Sequence, residues 1–203
     1  MQERVVFIRI PKNASTSMHK AFGIKNIIEY QKHKYYEEVF KSDFCQGMYD
    51  PTHIRLDMAV HYFGERILKL PIICVSRNPF DRIVSAYHFA LKFNLLVFHG
   101  LDGIDFEEFA RVYCANADNE KVFHANKQVN FLKYKDEILV DYVIRFENIE
   151  ETYADMNRKY GLELKPLQKL NGTEHKPYMR HYSDDLEATV REAYADDFKY
   201  FNY

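Results

Sequence analysis

Apolar residues follow two rhythms along this chain. Val5 to Ile10 and Pro71 to Ser76 are short, nearly continuous runs of β-branched and aromatic residues, and Tyr142 to Phe146 is a third. Runs of this kind suit strands covered on both faces in a parallel sheet. Elsewhere the spacing is helical. Ile54, Met58 and Tyr62 lead to a stop at Gly64, and Phe80, Ile83, Val84, Tyr87 and Leu91 mark one face of a helix that opens at Pro79. Ile149, Tyr153, Met156 and Tyr160 are closed by Gly161, and Ser183 caps a final helix lined by Leu186, Val190, Tyr194 and Phe198. Further helices are predicted after Ser15 to Ser17, over Phe106 to Tyr113 and over Glu120 to Tyr134. The segment from Ile24 to Asp50 has no clean period. Strands alternating with helices predict an α/β fold, a mainly parallel sheet flanked by helices, in one domain over residues 1–203.

Composition narrows the class. The 203 residues are 47% hydrophobic and 29% charged, which is globular rather than disordered. A formal net charge of -2 argues against a general nucleic-acid binder. Cys45, Cys74 and Cys114 form no spaced pair, so neither a disulfide framework nor a zinc site is indicated, and no metal ligand set is read. Met1 runs straight into a strand-like segment, and no stretch approaches the roughly 18 to 20 apolar residues of a membrane span. A cytoplasmic location without a membrane span is therefore expected, with the oligomeric state left open.

Two strand-to-helix junctions carry candidate chemistry. In the first, Pro11-Lys-Asn-Ala-Ser-Thr-Ser17 follows the first strand. A tight turn there aims backbone N–H groups and a helix start at one spot, Lys12 adds a point charge, and Ser15, Thr16 and Ser17 add hydroxyls. The small residues at 14 to 17 let a phosphate approach the main chain. This is not the triphosphatase loop, since both glycines are missing and the lysine precedes the small residues. The plain alternative is an ordinary helix cap beside a surface lysine. In the second junction, Arg77 ends the second strand at the carboxyl edge where open α/β sheets bind ligands, and Ser85 lies two helical turns on. The alternative there is that Arg77 pairs with Asp81 while Ser85 only packs; Asp81 and Arg82 are read as bracing residues.

Together the segments resemble the sulfotransferases that use 3′-phosphoadenosine 5′-phosphosulfate (PAPS), in particular their carbohydrate-type and bacterial or viral branch. Residues 11–17 resemble the family's 5′-phosphosulfate loop, and Arg77-Asn-Pro-Phe-Asp-Arg-Ile-Val-Ser-Ala-Tyr87 its 3′-phosphate segment. The likeness extends through Val140 to Glu150 and Tyr194 to Tyr203. It implies a P-loop-like sheet and transfer of a sulfuryl group from PAPS to an acceptor hydroxyl. Adenosine 3′,5′-bisphosphate (PAP) is then the product, and no metal takes part. The donor ligands it implies are Lys12, Asn13, Ala14, Ser15, Thr16, Ser17, Arg77 and Ser85.

Thr52 to Met58 resembles the family's histidine-bearing segment, which implies His53 as catalytic base beside Lys12 as charge stabiliser; imidazole is suited to taking a hydroxyl proton near neutral pH. A capping or packing histidine is the alternative. The turn-rich loop 169–180 resembles one that closes on the nucleotide. Lys176 and Arg180 then add to the 3′-phosphate clamp, unless the loop is simply a solvated basic one. Gln128 is a candidate contact for adenine or acceptor. The expected acceptor is a carbohydrate or other small hydroxylated molecule. Two other functions are weighed: a P-loop kinase-like nucleotide enzyme, against which stands the lack of an evident acidic magnesium ligand after a strand, and a PAP-binding module without catalysis.

Overall fold

The computed structural model describes residues 5–22, 53–98, 101–120, 122–168 and 177–203. In chain order the elements begin with β1 (Val6–Ile8), α1 (Ser15–Ala21), α2 (Leu56–Phe63), β2 (Ile72–Ser76) and α3 (Pro79–Lys92). Then come α4 (Leu95–Phe98), α5 (Phe106–Ala115), β3 (Lys133–Tyr134), β4 (Glu137–Ile138) and β5 (Tyr142–Arg145). The chain ends with α6 (Ile149–Lys159), α7 (Asp184–Ala193) and α8 (Ala195–Phe201). Two compact units result: Met1–Ser76 with Asn130–Leu170, and Arg77–Val129 with Asn171–Tyr203. The segment 24–50 lies outside the described residues.

The first unit holds the predicted sheet. It has three parallel strands in the order β1-β2-β5, with Val6 opposite Ile72 and Val75 opposite Ile144. Every residue of β2 is buried, as a middle strand covered on both faces requires. Asp141 starts the β2–β5 pairing twice over: its N–H donates to the Ile72 carbonyl at 2.7 Å and its carboxylate accepts from Ile72 N–H at 2.7 Å. Ile73, Val75 and Ile144 share one face by alternation, and Met18 and Ala21 of α1 pack there with Tyr153 and Met156 of α6. The fold is mixed α/β with a parallel sheet and flanking helices, consistent with the P-loop-like class read from the sequence.

The second unit is helical. Phe80, Ile83 and Ala86 of α3 pack with Phe109 and Tyr113 of α5 and with Leu186, Val190 and Tyr194 at the carboxyl-terminal helices. Local sequence sets the starts of α3, α5 and α7. Asn78 accepts from Phe80 N–H at 3.0 Å ahead of Pro79, Asp105 from Glu108 N–H at 2.9 Å, and Ser183 from Leu186 N–H at 3.3 Å. Among the described residues, no helix is long and apolar enough to cross a membrane.

The structure corrects several expectations. Leu91 is 48% exposed and lies off the buried face of α3, where Ala90 packs instead. Ile54 precedes α2 rather than belonging to it. The last helix is interrupted at Tyr194, though Leu186, Val190, Tyr194 and Phe198 still share one cluster. The predicted helix over Glu120 to Tyr134 is replaced by turns, a 3₁₀ turn at Gln128–Leu132 and β3. Its backbone groups are claimed by distant side chains. The His124 carbonyl accepts from Arg82 at 2.9 Å and from the Tyr113 hydroxyl, the Ala125 carbonyl from the Tyr194 hydroxyl at 2.6 Å. The N–H groups of Gln128 and Val129 go to Asp197 at 2.9 and 3.0 Å. A buried backbone satisfied in this way has no need of helical bonds.

Candidate active site

In the first unit, β1 leads through Arg9 and Ile10 into the loop that sequence pattern singled out. Lys12 and Ala14 both take left-handed backbone conformations, with φ of 68° and 53°. For residues with a Cβ this costs on the order of 1 kcal/mol each, and such strain gathers at ligand clamps. Left-handed residues in a tight turn gather N–H groups into an anion-binding concavity. Ala14 takes the cap position of α1 and has no side chain with which to accept from the first turn. Ser15, Thr16 and Ser17 form that turn; Thr16 is exposed, Ser15 half-buried and Ser17 buried. Lys12 is half-buried. Asn13 is 1% exposed, and its amide donates to the carbonyl of Val75 in β2 at 2.6 Å. The Asn13 side chain therefore anchors the loop to the middle strand.

His53 belongs to the same unit and is also buried. Its Nδ1 lies 2.8 Å from the Arg9 carbonyl oxygen, at the exit of β1. A carbonyl only accepts, so Nδ1 carries the proton, and Nε2 becomes the basic position of the neutral ring. His53 does not cap α2, whose cap residue is Arg55. The capping alternative is thus removed. His53 is tied to Arg9, in the segment that follows β1, and Asn13, in the same segment, is tied to Val75 of β2.

The second unit begins at Arg77, the residue after β2. Arg77 precedes α3 rather than lying on it, and its Nε donates to Asp81 at 2.8 Å. The pairing weighed from sequence is therefore real, and it orients the guanidinium. Ser85 is buried one turn beyond Asp81 on α3. Arg82 is almost wholly buried and spans to the His124 carbonyl, a bracing role as expected. Gln128 is also buried, but its side chain is committed to the main chain of Arg77, which corrects its reading as a substrate contact.

Of the late loop, Lys176 lies outside the described residues, while Arg180 is exposed in the 3₁₀ turn Tyr178–His181. That turn is tied to the start of α3: the Tyr178 hydroxyl accepts from Asn78 at 3.5 Å, the Tyr182 hydroxyl donates to the Phe80 carbonyl at 2.9 Å, and both rings contact Phe80. Burial pushes the Tyr182 phenol far above its ordinary value, so it stays protonated as that donor. Among the described residues, no three His, Cys, Asp or Glu side chains cluster as metal ligands would.

Fold and loop together define a parallel-sheet α/β protein with a lysine-bearing, left-handed turn after its first strand. The particular family follows from comparison of the whole chain. The description "Sulfotransferase family" matches residues 1–203, and the chain belongs to that family. Its general chemistry is sulfuryl transfer. No curated protein and no solved structure matches the chain.

Proposed function

We propose that the protein moves a sulfuryl group from PAPS to a hydroxyl of a carbohydrate or other small hydroxylated acceptor, with His53 as general base. Family membership supports sulfuryl transfer, and the family generally draws its sulfate from PAPS. The observation that carries the assignment of the base is the bond from His53 Nδ1 to the Arg9 carbonyl, which fixes the tautomer with Nε2 basic. In the reaction the acceptor O–H proton passes to Nε2. The acceptor oxygen forms the new S–O bond, the bond from sulfur to the 5′-phosphate oxygen breaks, and PAP leaves. Lys12 and the 12–17 backbone stabilise the charge that develops on that leaving oxygen, as preorganised donors do in phosphoryl transfer. Arg77 and Ser85 hold the 3′-phosphate, joined by Arg180 and Lys176, while Ser15, Thr16 and Ser17 add donors at the phosphosulfate end.

The test is a transfer assay with radiolabelled PAPS across sugar, phenol and alcohol acceptors, together with calorimetry of PAP. Tight PAP binding without magnesium and label on a hydroxylated acceptor are expected. PAP binding without transfer to any acceptor would establish a non-catalytic module, and magnesium-dependent ATP binding without PAP binding would establish a kinase-like enzyme.

A further inference from the structure

We propose that Gln128 and Asp197 are positioning residues that set the affinity for the donor's 3′-phosphate by fixing the main chain of Arg77. The inference rests on Arg77 being the 3′-phosphate ligand and deepens that reading. Gln128 meets Arg77 at both of its backbone groups: Oε1 accepts from Arg77 N–H at 3.0 Å and Nε2 donates to the Arg77 carbonyl at 2.9 Å. The β2 ladder ends one residue earlier, where Ser76 pairs with Arg145. The Gln128 amide thus pairs the next residue as a strand would. Few side chains can do this, since it needs one acceptor and one donor in a plane.

Asp197 then fixes Gln128. One carboxylate oxygen accepts from Gln128 N–H at 2.9 Å and from Gln128 Nε2 at 3.3 Å, and the other from Val129 N–H at 3.0 Å. Asp197 and Gln128 are both wholly buried. Burial pushes the Asp197 carboxyl up, against the pull of Arg82 and of the Gln128 and Val129 donors. A buried carboxylate is costly unless hydrogen-bonded, and two of these three bonds go to the residue that holds Arg77. The Arg77 side chain is separately oriented by Asp81. Main chain and guanidinium are both set before a ligand arrives, which lowers the ordering cost of binding.

The experiment compares affinities for PAP and for adenosine 5′-phosphosulfate, which lacks the 3′-phosphate, by calorimetry on the whole chain. Gln128→Met keeps the side-chain length and removes both bonds to Arg77. It should lose about 3- to 10-fold in PAP affinity, as expected for ordinary hydrogen bonds, with the other nucleotide nearly unaffected. KM for PAPS should rise while kcat at saturation holds. Asp197→Asn should move the same ratio in the same direction. Arg77→Ala should lose about 10- to 100-fold on PAP. Tyr194→Phe removes the hydroxyl bonds to the Ala125 and Tyr113 carbonyls and leaves Arg77 untouched, so it should lower the unfolding midpoint without moving the ratio.

If Arg77→Ala loses the 3′-preference and a folded Gln128→Met keeps it, this inference is overturned alone. If both keep it, the assignment of Arg77 falls and this inference with it. Should neither Gln128→Met nor Asp197→Asn fold, the wild-type protein decides. Slow amide exchange at Arg77 matching that at Val129 supports the pairing, and fast exchange at Arg77 beside a slow Val129 overturns it.

Discussion

At Pro11 to Ser17 the chain turns from β1 into α1 largely through its own backbone: Lys12 and Ala14 sit left-handed, and Asn13 makes one side-chain bond to Val75. At Arg77 to Pro79 the chain leaves β2 for α3 through side chains instead. Asn78 caps locally, Gln128 grips Arg77 from 51 positions away, and Asp197 grips Gln128 from a further 69. The first turn stores strain in a few residues, so substitutions within it should act on the ligand directly. The second is set by bonds that arrive from elsewhere in the sequence, so its sensitivity should extend to residues that touch no ligand.

The strongest break in that comparison should come at His53. His53→Ala is expected to reduce sulfuryl transfer by about 10²- to 10⁴-fold with PAP affinity nearly intact, because a base acts on the acceptor. Single-turnover rates and calorimetry on one preparation check it; a folded variant with unchanged turnover moves the base elsewhere. Lys12→Ala should follow, with about a 10²- to 10³-fold loss of turnover at saturating PAPS, the scale of a lost preorganised charge stabiliser. Near-native turnover there would return the loop to an ordinary helix start.

Asn13→Ala asks whether one amide pins the backbone-built turn. It leaves the buried Val75 carbonyl without this donor and should lower stability by about 1 to 3 kcal/mol, read by urea unfolding. An unchanged midpoint would mean that the left-handed residues hold the loop unaided.

The smallest effect is expected at a pair apart from both turns. The Tyr142 hydroxyl donates to Asp155 at 2.6 Å, and with Arg158 it holds the Asp155 carboxyl below its ordinary value. Burial, then the Asp155 bond, pushes the Tyr142 phenol up to about 12. A depressed carboxyl contributes stability that is present above its unfolded value, near pH 4, and lost as pH falls through the folded value. Asp155→Asn should therefore lower the midpoint slightly near neutral pH, and the gap to wild type should close on acidification. A gap that widens on acidification would contradict the assigned shift, and any change in PAP affinity would show that the pair is not remote from binding.

Much of the local structure was legible in the sequence. The continuous apolar run 72–76 became the fully buried middle strand, and Pro79, Ser183, Gly64 and Gly161 mark helix ends where pattern placed them. The turn after β1 was legible because it is made by consecutive residues. Its left-handed positions were not, since neither Lys12 nor Ala14 is a glycine. The role of Gln128 and the missing helix around it share one cause. Residues 120–134 look helical by apolar spacing, but the carbonyls of His124 and Ala125 and the N–H groups of Gln128 and Val129 are taken by Arg82, Tyr113, Tyr194 and Asp197.

The sequence by itself determined the strand and helix alternation, the helix caps and the lysine-bearing turn, because these depend on residues a few positions apart. Only the tertiary structure decided that His53 turns its Nδ1 to Arg9, that the Asn13 side chain is anchored to Val75, and that Arg77 is held by Gln128 and Asp197. A hydrogen bond between residues 44, 62 or 69 positions apart has no local signature. It forms because folding buries both partners, and a buried polar group must find whichever partner the packed chain brings within reach.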